Sequence, residues 1–211
     1  MDSVEKSVAK DLLDIRAVEL RPDKPFTWAS GWKAPIYCDN RKMLSYPEIR
    51  SQIADFLVAS AKEHFPQANY IAGVATGAIA LGVLVADRMD LPFVYVRPKP
   101  KDHGLCAQIE GYIPDDAKVL VIEDLISTGT SSLSAVDVIR KRGVDVEGMV
   151  ALFSYNFSKA RREFEDANVE LHTLSNYEAL VDEALSRGYI TKDQEDVLKD
   201  WRFKPDTWGQ E

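Results

Sequence analysis

Two acids and a hydroxyl-rich loop lie next to each other in the middle of this 211-residue chain. Glu123 and Asp124 follow an apolar, β-branched run at residues 119–122, which is typical of a strand buried on both faces. The small polar residues 127–131 come next and lead into an amphipathic helix that ends in basic residues before Gly143. A strand, a loop of small residues and a helix in this order predict a binding site for an anion.

The loop at residues 127–131 has the composition of a phosphate site. Backbone N–H groups at the start of a helix form the positive end of its dipole, and Gly129 lets the backbone approach a ligand closely. The neighbouring carboxylates would repel a phosphate, so they suit groups beside it, either ribose hydroxyls or a magnesium ion that bridges to further phosphates. The alternative is an ordinary helix cap with two solvated acids, but the acid pair, the glycine and the hydroxyls together favour a ligand site.

Composition and charge narrow the class of protein. The chain is 45% hydrophobic and 28% charged, which fits one globular domain with a full core. Its net charge of −8 disfavours binding to nucleic acid or to an anionic membrane, and no signal peptide or membrane-spanning stretch is evident. Cys38 and Cys106 match no metal or redox motif, so we expect a cytoplasmic location. Alternating strands and helices predict an α/β fold with a parallel sheet.

Two further segments have the composition of binding loops. A buried strand at residues 70–75 is followed by Thr76, Gly77 and a helix, which predicts a second anion site, although the glycine could instead serve close packing. Residues 97–104 contain three cations and a histidine between prolines and a glycine. Such a segment cannot form a core, and on charge alone it would be a solvated loop.

Residues 119–132 resemble the phosphoribosyl-pyrophosphate (PRPP) signature of the type I phosphoribosyltransferases. The resemblance implies a three-layer α/β fold with a mostly parallel central sheet flanked by helices. It also implies that Glu123 and Asp124 hold the ribose hydroxyls, that the loop holds the 5-phosphate, and that the loop after the strand at 70–75 holds the pyrophosphate. The PRPP-binding residues that it implies are Arg97, Lys101, His103, Glu123, Asp124, Leu125, Ile126, Ser127, Thr128, Gly129, Thr130 and Ser131.

Other segments are similar to those of orotate phosphoribosyltransferases. The pattern Ser30-Gly31-x-x-x-Pro35 runs into an aromatic segment, and Lys101-Asp102-His103-Gly104 resembles a catalytic loop that closes over pyrophosphate, usually in the partner's site. This implies catalytic roles for Lys101, His103 and Asp124, and a homodimer that shares the 97–111 loop. It also implies an orotate contact from Ser127 and Mg²⁺ held through PRPP without protein ligands of its own.

The chain departs from these families where lysines are common. It has Ala29 before the Ser-Gly pair, Gly77 in the pyrophosphate loop and Pro98 after the arginine. We expect one phosphoribosyltransferase domain over 1–211, with a core at about 46–175 and a small hood from 1–45 and 176–211. The expected activity is transfer of ribose 5-phosphate from PRPP to orotate. The alternatives are a purine phosphoribosyltransferase and a non-catalytic regulator that binds PRPP or nucleic acid.

Overall fold

The computed structural model describes residues 3–28, 31–99 and 108–209. The helices within them are α1 (Val4–Asp14), α2 (Pro47–His64), α3 (Ile79–Met89), α4 (Thr130–Lys141), α5 (Ser158–Asp166), α6 (Tyr177–Ser186) and α7 (Lys192–Phe203). The strands are β1 (Val18–Leu20), β2 (Phe26–Thr27), β3 (Lys33–Ala34), β4 (Ile36–Cys38), β5 (Tyr70–Val74), β6 (Phe93–Val96), β7 (Ile109–Glu110), β8 (Lys118–Ile126), β9 (Asp145–Ser154) and β10 (Leu171–Asn176). A 3₁₀ helix covers Asn40–Ser45.

The chain divides into two compact units, Pro47–Leu174 and a terminal unit of Met1–Tyr46 with Ser175–Glu211. The expected division into a core at 46–175 and a hood from 1–45 and 176–211 stays a prediction. A six-stranded sheet with the order β10-β9-β8-β5-β6-β7 organises the Pro47–Leu174 unit. The pairs β5–β6, β5–β8 and β8–β9 are parallel, and β6–β7 is antiparallel. The fully buried central strands explain the long apolar runs in the sequence.

Helices cover both faces of this sheet. On one face α4 and α5 pack into an apolar cluster that includes Val121, Val136 and Phe164. On the other face α3 lies so close to β5 that a Cβ atom on Gly82 would be 3.3 Å from the Cα of Gly73. The helix–sheet–helix layers and the mostly parallel sheet confirm the three-layer α/β architecture predicted from the sequence.

The terminal unit joins the two ends of the described chain. β1 pairs antiparallel with β4, and β2 pairs antiparallel with β3. The α1 helix packs against α6, and Ser175 Oγ donates a 2.8 Å hydrogen bond to the Glu5 carbonyl. Trp201 of α7 is fully buried, and its Nε1 donates to the Lys33 carbonyl at 3.1 Å. These hydrogen bonds tie the C-terminal helices to the N-terminal segment within the unit.

Candidate active site

The acid pair lies inside β8. The sequence suggested that the strand would end before Glu123, but β8 continues to Ile126 and remains paired with β9 beyond the acids. Because successive residues of a strand point to opposite faces of the sheet, the two side chains leave β8 on opposite sides, although their carboxyl groups remain hydrogen-bonded to each other. Glu123 faces the α4 side and Asp124 faces the α3 side. The two acids look equivalent in the sequence, whereas the structure gives them different surroundings.

Glu123 is buried under the first turn of α4. Its side chain is only 4% exposed, and both of its oxygens accept hydrogen bonds from the protein. Ser132 Oγ donates to Oε2 at 2.8 Å, and the backbone N–H of Asp124 donates to Oε1 at 3.0 Å. Burial raises the pKa of Glu123 well above its ordinary value, and both the charge of Asp124 and a side-chain hydrogen bond with it add to this. The hydrogen bonds from Ser132 and from the Asp124 backbone oppose the shift.

Asp124 meets the loop between β5 and α3. A Cβ atom on Gly77 would be 2.4 Å from each carboxylate oxygen of Asp124, so the absence of a side chain makes room for the acid. The Ala75–Thr76 peptide bond in this loop is cis, and Ala75 N–H donates to the Val96 carbonyl at 2.9 Å. The structure therefore brings together the two loops that the sequence analysis identified as separate anion sites.

The predicted phosphate loop turns into α4 at Gly129. Gly129 is the N-cap residue and has a φ of +83°, in the left-handed region that glycine adopts without strain. Because glycine has no side chain, it provides no cap for the first N–H groups of α4, which leaves these groups for a ligand. The hydroxyls of Thr128 and Thr130 lie 3.1 Å apart. This is the donor arrangement expected of a phosphate site.

The other residues predicted to bind PRPP in and before this loop become more exposed towards the start of α4. Ile126 is buried, Leu125, Ser127 and Thr128 are partly buried, and Thr130 and Ser131 are exposed. Ile126 anchors the loop, since its carbonyl accepts a 3.0 Å hydrogen bond from Tyr155 N–H. The exposed hydroxyls therefore lie at the helix start, where a solvent-borne ligand can reach them.

Arg97 follows β6 at the same edge of the sheet. Its backbone N–H donates to the Gln108 carbonyl at 2.8 Å, and Gln108 Nε2 donates to the Arg97 carbonyl at 3.2 Å. Its guanidinium is 3.6 Å from the Glu110 carboxylate. These contacts close the base of the 97–111 segment and fix where it leaves the sheet.

Several predicted residues fall outside the described part of the chain. Lys101 and His103 belong to this group, as do Ala29 and Ser30. Gly31, Pro35 and Tyr37 of the same aromatic segment lie in the terminal unit, where Gly31 has a φ of +86° and Tyr37 is 40% exposed.

Within residues 3–28, 31–99 and 108–209, no group of three histidine, cysteine, aspartate or glutamate side chains is arranged to hold a metal ion. None of the helices described combines the length and the apolar character that a bilayer span needs.

Ser132 is a site residue to which the sequence analysis gave no role. It is 1% exposed and lies on the same face of α4 as the buried residues Ala135, Val136 and Ile139. The signal that could have found it is this helical spacing, because a hydroxyl on the buried face needs a partner and the acid pair is nearby.

Comparisons with known proteins agree with this geometry. Residues 45–186 match the phosphoribosyl transferase domain family. An orotate phosphoribosyltransferase of Porphyromonas gingivalis is 54% identical over 209 residues, covering 99% of this chain and 100% of that protein. One from Lactococcus lactis subsp. cremoris is 49% identical over 206 residues, covering 98% of this chain and 99% of that protein. The solved structure of an Aeropyrum pernix orotate phosphoribosyltransferase superposes with a TM-score of 0.76 at 28% identity, over 87% of this chain and 99% of that chain.

Proposed function

The chain belongs to the orotate phosphoribosyltransferase family, and we propose that the acid pair and the two adjoining loops carry out this family's reaction. The enzyme transfers the ribose 5-phosphate of PRPP to orotate, which gives orotidine 5-monophosphate and pyrophosphate in de novo pyrimidine (UMP) biosynthesis. The observation that best supports the assignment of residues is the contact between Gly77 and Asp124, because it joins two anion loops around one carboxylate.

The two loops divide PRPP between them. The 5-phosphate binds at residues 127–131, where the start of α4 supplies backbone N–H groups and the Thr128 and Thr130 hydroxyls add donors. The pyrophosphate binds at the loop that contains Thr76 and Gly77. The ribose then spans the gap beside Asp124. A carboxylate there stabilises the positive charge that develops on the ribose as its bond to pyrophosphate breaks.

Cations from the 97–111 segment complete the site. The leaving pyrophosphate is highly charged, so catalysis needs positive groups around it. Arg97 stands at the base of this segment, and Lys101 and His103 follow it in the sequence. When bound with PRPP, Mg²⁺ would add positive charge to the same group. We assign no protein side chain as its direct ligand.

We further propose that Ser127 contacts orotate. Ser127 is partly buried and is the residue of the phosphate loop nearest to Asp124 in the sequence, so its hydroxyl or N–H can face a base attached to the ribose. Ser127→Ala should raise the orotate KM more than the PRPP KM in steady-state assays. Equal changes in the two KM values would reject a base-specific role.

The enzyme is proposed to be a cytoplasmic homodimer in which each 97–111 segment serves the partner's site. In a dimer with twofold symmetry, each segment can reach the site of the other subunit in the same way. Lys101→Ala and Asp124→Ala should each inactivate a homodimer. A mixed dimer should regain activity, because the Asp124→Ala chain lends an intact segment to the site that keeps Asp124. Subunit exchange without any recovery would show that each segment serves its own chain.

The activity is tested by substrate choice. Purified protein with PRPP and Mg²⁺ should release pyrophosphate when orotate is added, and it should not do so with hypoxanthine or adenine. Turnover of a purine alone would identify a purine phosphoribosyltransferase instead. PRPP binding without pyrophosphate release under all three conditions would indicate a non-catalytic regulator.

A further inference from the structure

Ser132 and Glu123 form a buried pair beneath the proposed phosphate loop. Their side chains are 1% and 4% exposed, and the Ser132 hydroxyl donates to Glu123 Oε2 at 2.8 Å. The other Glu123 oxygen accepts from the backbone N–H of Asp124 at 3.0 Å. A continuous path of hydrogen bonds therefore runs from the first turn of α4 to the backbone of the second acid.

This pairing limits what Glu123 can do. Turning its carboxyl group outward would break both hydrogen bonds and leave the Ser132 hydroxyl buried without this acceptor, which is costly for a group removed from water. The alternation of β8 points the Glu123 side chain towards α4, while Asp124 points towards Gly77 and the second loop. The two carboxyl groups are nevertheless hydrogen-bonded to each other, so the position of Glu123 bears directly on that of Asp124.

We propose that Ser132 is a positioning residue that acts through Glu123. Ser132 holds the Glu123 carboxyl under α4, and Glu123 in turn fixes the position of Asp124, whose carboxylate is presented to the ribose of PRPP. This inference rests on the function proposed above. It makes Ser132 important for PRPP binding even though its buried hydroxyl touches no part of the ligand.

A matched pair of substitutions separates the hydroxyl from packing. Thr and Val have nearly the same shape and add the same bulk at position 132, but only Thr keeps a hydroxyl for Glu123. PRPP affinity, measured by titration calorimetry with PRPP and Mg²⁺ alone, should be about tenfold weaker in Ser132→Val than in Ser132→Thr. Thermal unfolding of both variants confirms that each is folded. Equal PRPP affinities in two folded variants would overturn the proposal.

A double-mutant cycle tests the route through Glu123. Ser132→Ala should weaken PRPP binding about tenfold in the native background and less than twofold in the Glu123→Gln background, because the path is already altered there. Independent, multiplicative losses would mean that Ser132 acts structurally and would overturn the proposal. These binding measurements use PRPP without orotate, so they test the role of Ser132 whether or not the wild-type protein turns over orotate. Failure to turn over orotate would count against the proposed function only.

Discussion

The loops that follow β5 and β8 have the same plan, yet their glycines are needed for different reasons. Gly129 has a left-handed φ of +83°, so its backbone conformation favours glycine. Gly77 is not among the glycines with positive φ, and its constraint is space, because a Cβ would be 2.4 Å from the Asp124 carboxylate oxygens. The requirement at Gly129 is first of all conformational, with a Cβ also 3.0 Å from the Phe164 ring, whereas the requirement at Gly77 is space beside a strand more than forty positions away in the sequence. A short glycine motif can thus conceal two kinds of constraint.

The largest effect is expected from Gly77→Ala. The added methyl group must displace either the Asp124 carboxylate or the backbone of the loop, and displacements of about 1 Å near reacting groups cost roughly 100-fold in rate. We therefore expect kcat/KM for PRPP to fall by about 100-fold. In the Asp124→Ala background, where turnover is absent, Gly77→Ala should weaken PRPP binding much less than it does in wild type. Equal losses of PRPP affinity in the two backgrounds would show that the contact is not the cause.

A smaller effect is expected when Ala and Asn variants are compared at Gly129 and at Gly77, and the better-tolerated residue should differ between the two positions. Asn tolerates the left-handed conformation better than Ala, and the Cβ that would meet the Phe164 ring is common to both, so Gly129→Asn should be more stable than Gly129→Ala by up to about 1 kcal/mol. At Gly77 the larger Asn should be worse than Ala, because space is the constraint. Urea unfolding and PRPP-dependent rates test this reversal. The same rank order at both positions would remove the distinction between the loops.

The smallest effect is expected on how the free energy of unfolding changes with pH, because of Glu123 in β8. The raised pKa of Glu123 means that the folded protein keeps a proton that the unfolded chain loses above about pH 4.5. The buried Glu123 therefore lowers the free energy of unfolding as the pH rises from about 4.5 through the pKa of Glu123 in the folded protein. Glu123→Gln carries no such proton, so its stability relative to wild type should increase over this interval. Urea unfolding at several pH values in this interval measures the difference in free energy of unfolding between Glu123→Gln and wild type. A difference that does not change with pH would contradict the raised pKa of Glu123.

The sequence was most informative where the structural cause is local. The apolar strands, the helix after Gly129 and the hydroxyl-rich loop depend on neighbouring residues, and the three-layer fold follows from their alternation. The continuation of β8 through Glu123 to Ile126 was not predicted, because it depends on pairing with β9.

Contacts between elements were the part that the sequence did not reveal. The meeting of Gly77 with Asp124 depends on the register of β5 against β8, in which Gly73 is opposite Ile122. The Ser132–Glu123 hydrogen bond depends in addition on the face that α4 turns towards the sheet. Neither register nor helix rotation can be read from the composition of the motif, although the spacing of buried residues in α4 gave a partial signal.

The most direct test of the account is to bind the two parts of PRPP separately. Thr130→Ala should weaken ribose 5-phosphate binding about threefold or more and leave pyrophosphate binding unchanged, as expected for the loss of one hydroxyl donor. Thr76→Ala should do the reverse, and both variants should bind PRPP more weakly than wild type by calorimetry. If both substitutions weakened the same fragment, or if neither changed PRPP affinity in folded protein, the proposed division of PRPP between the two loops would be contradicted.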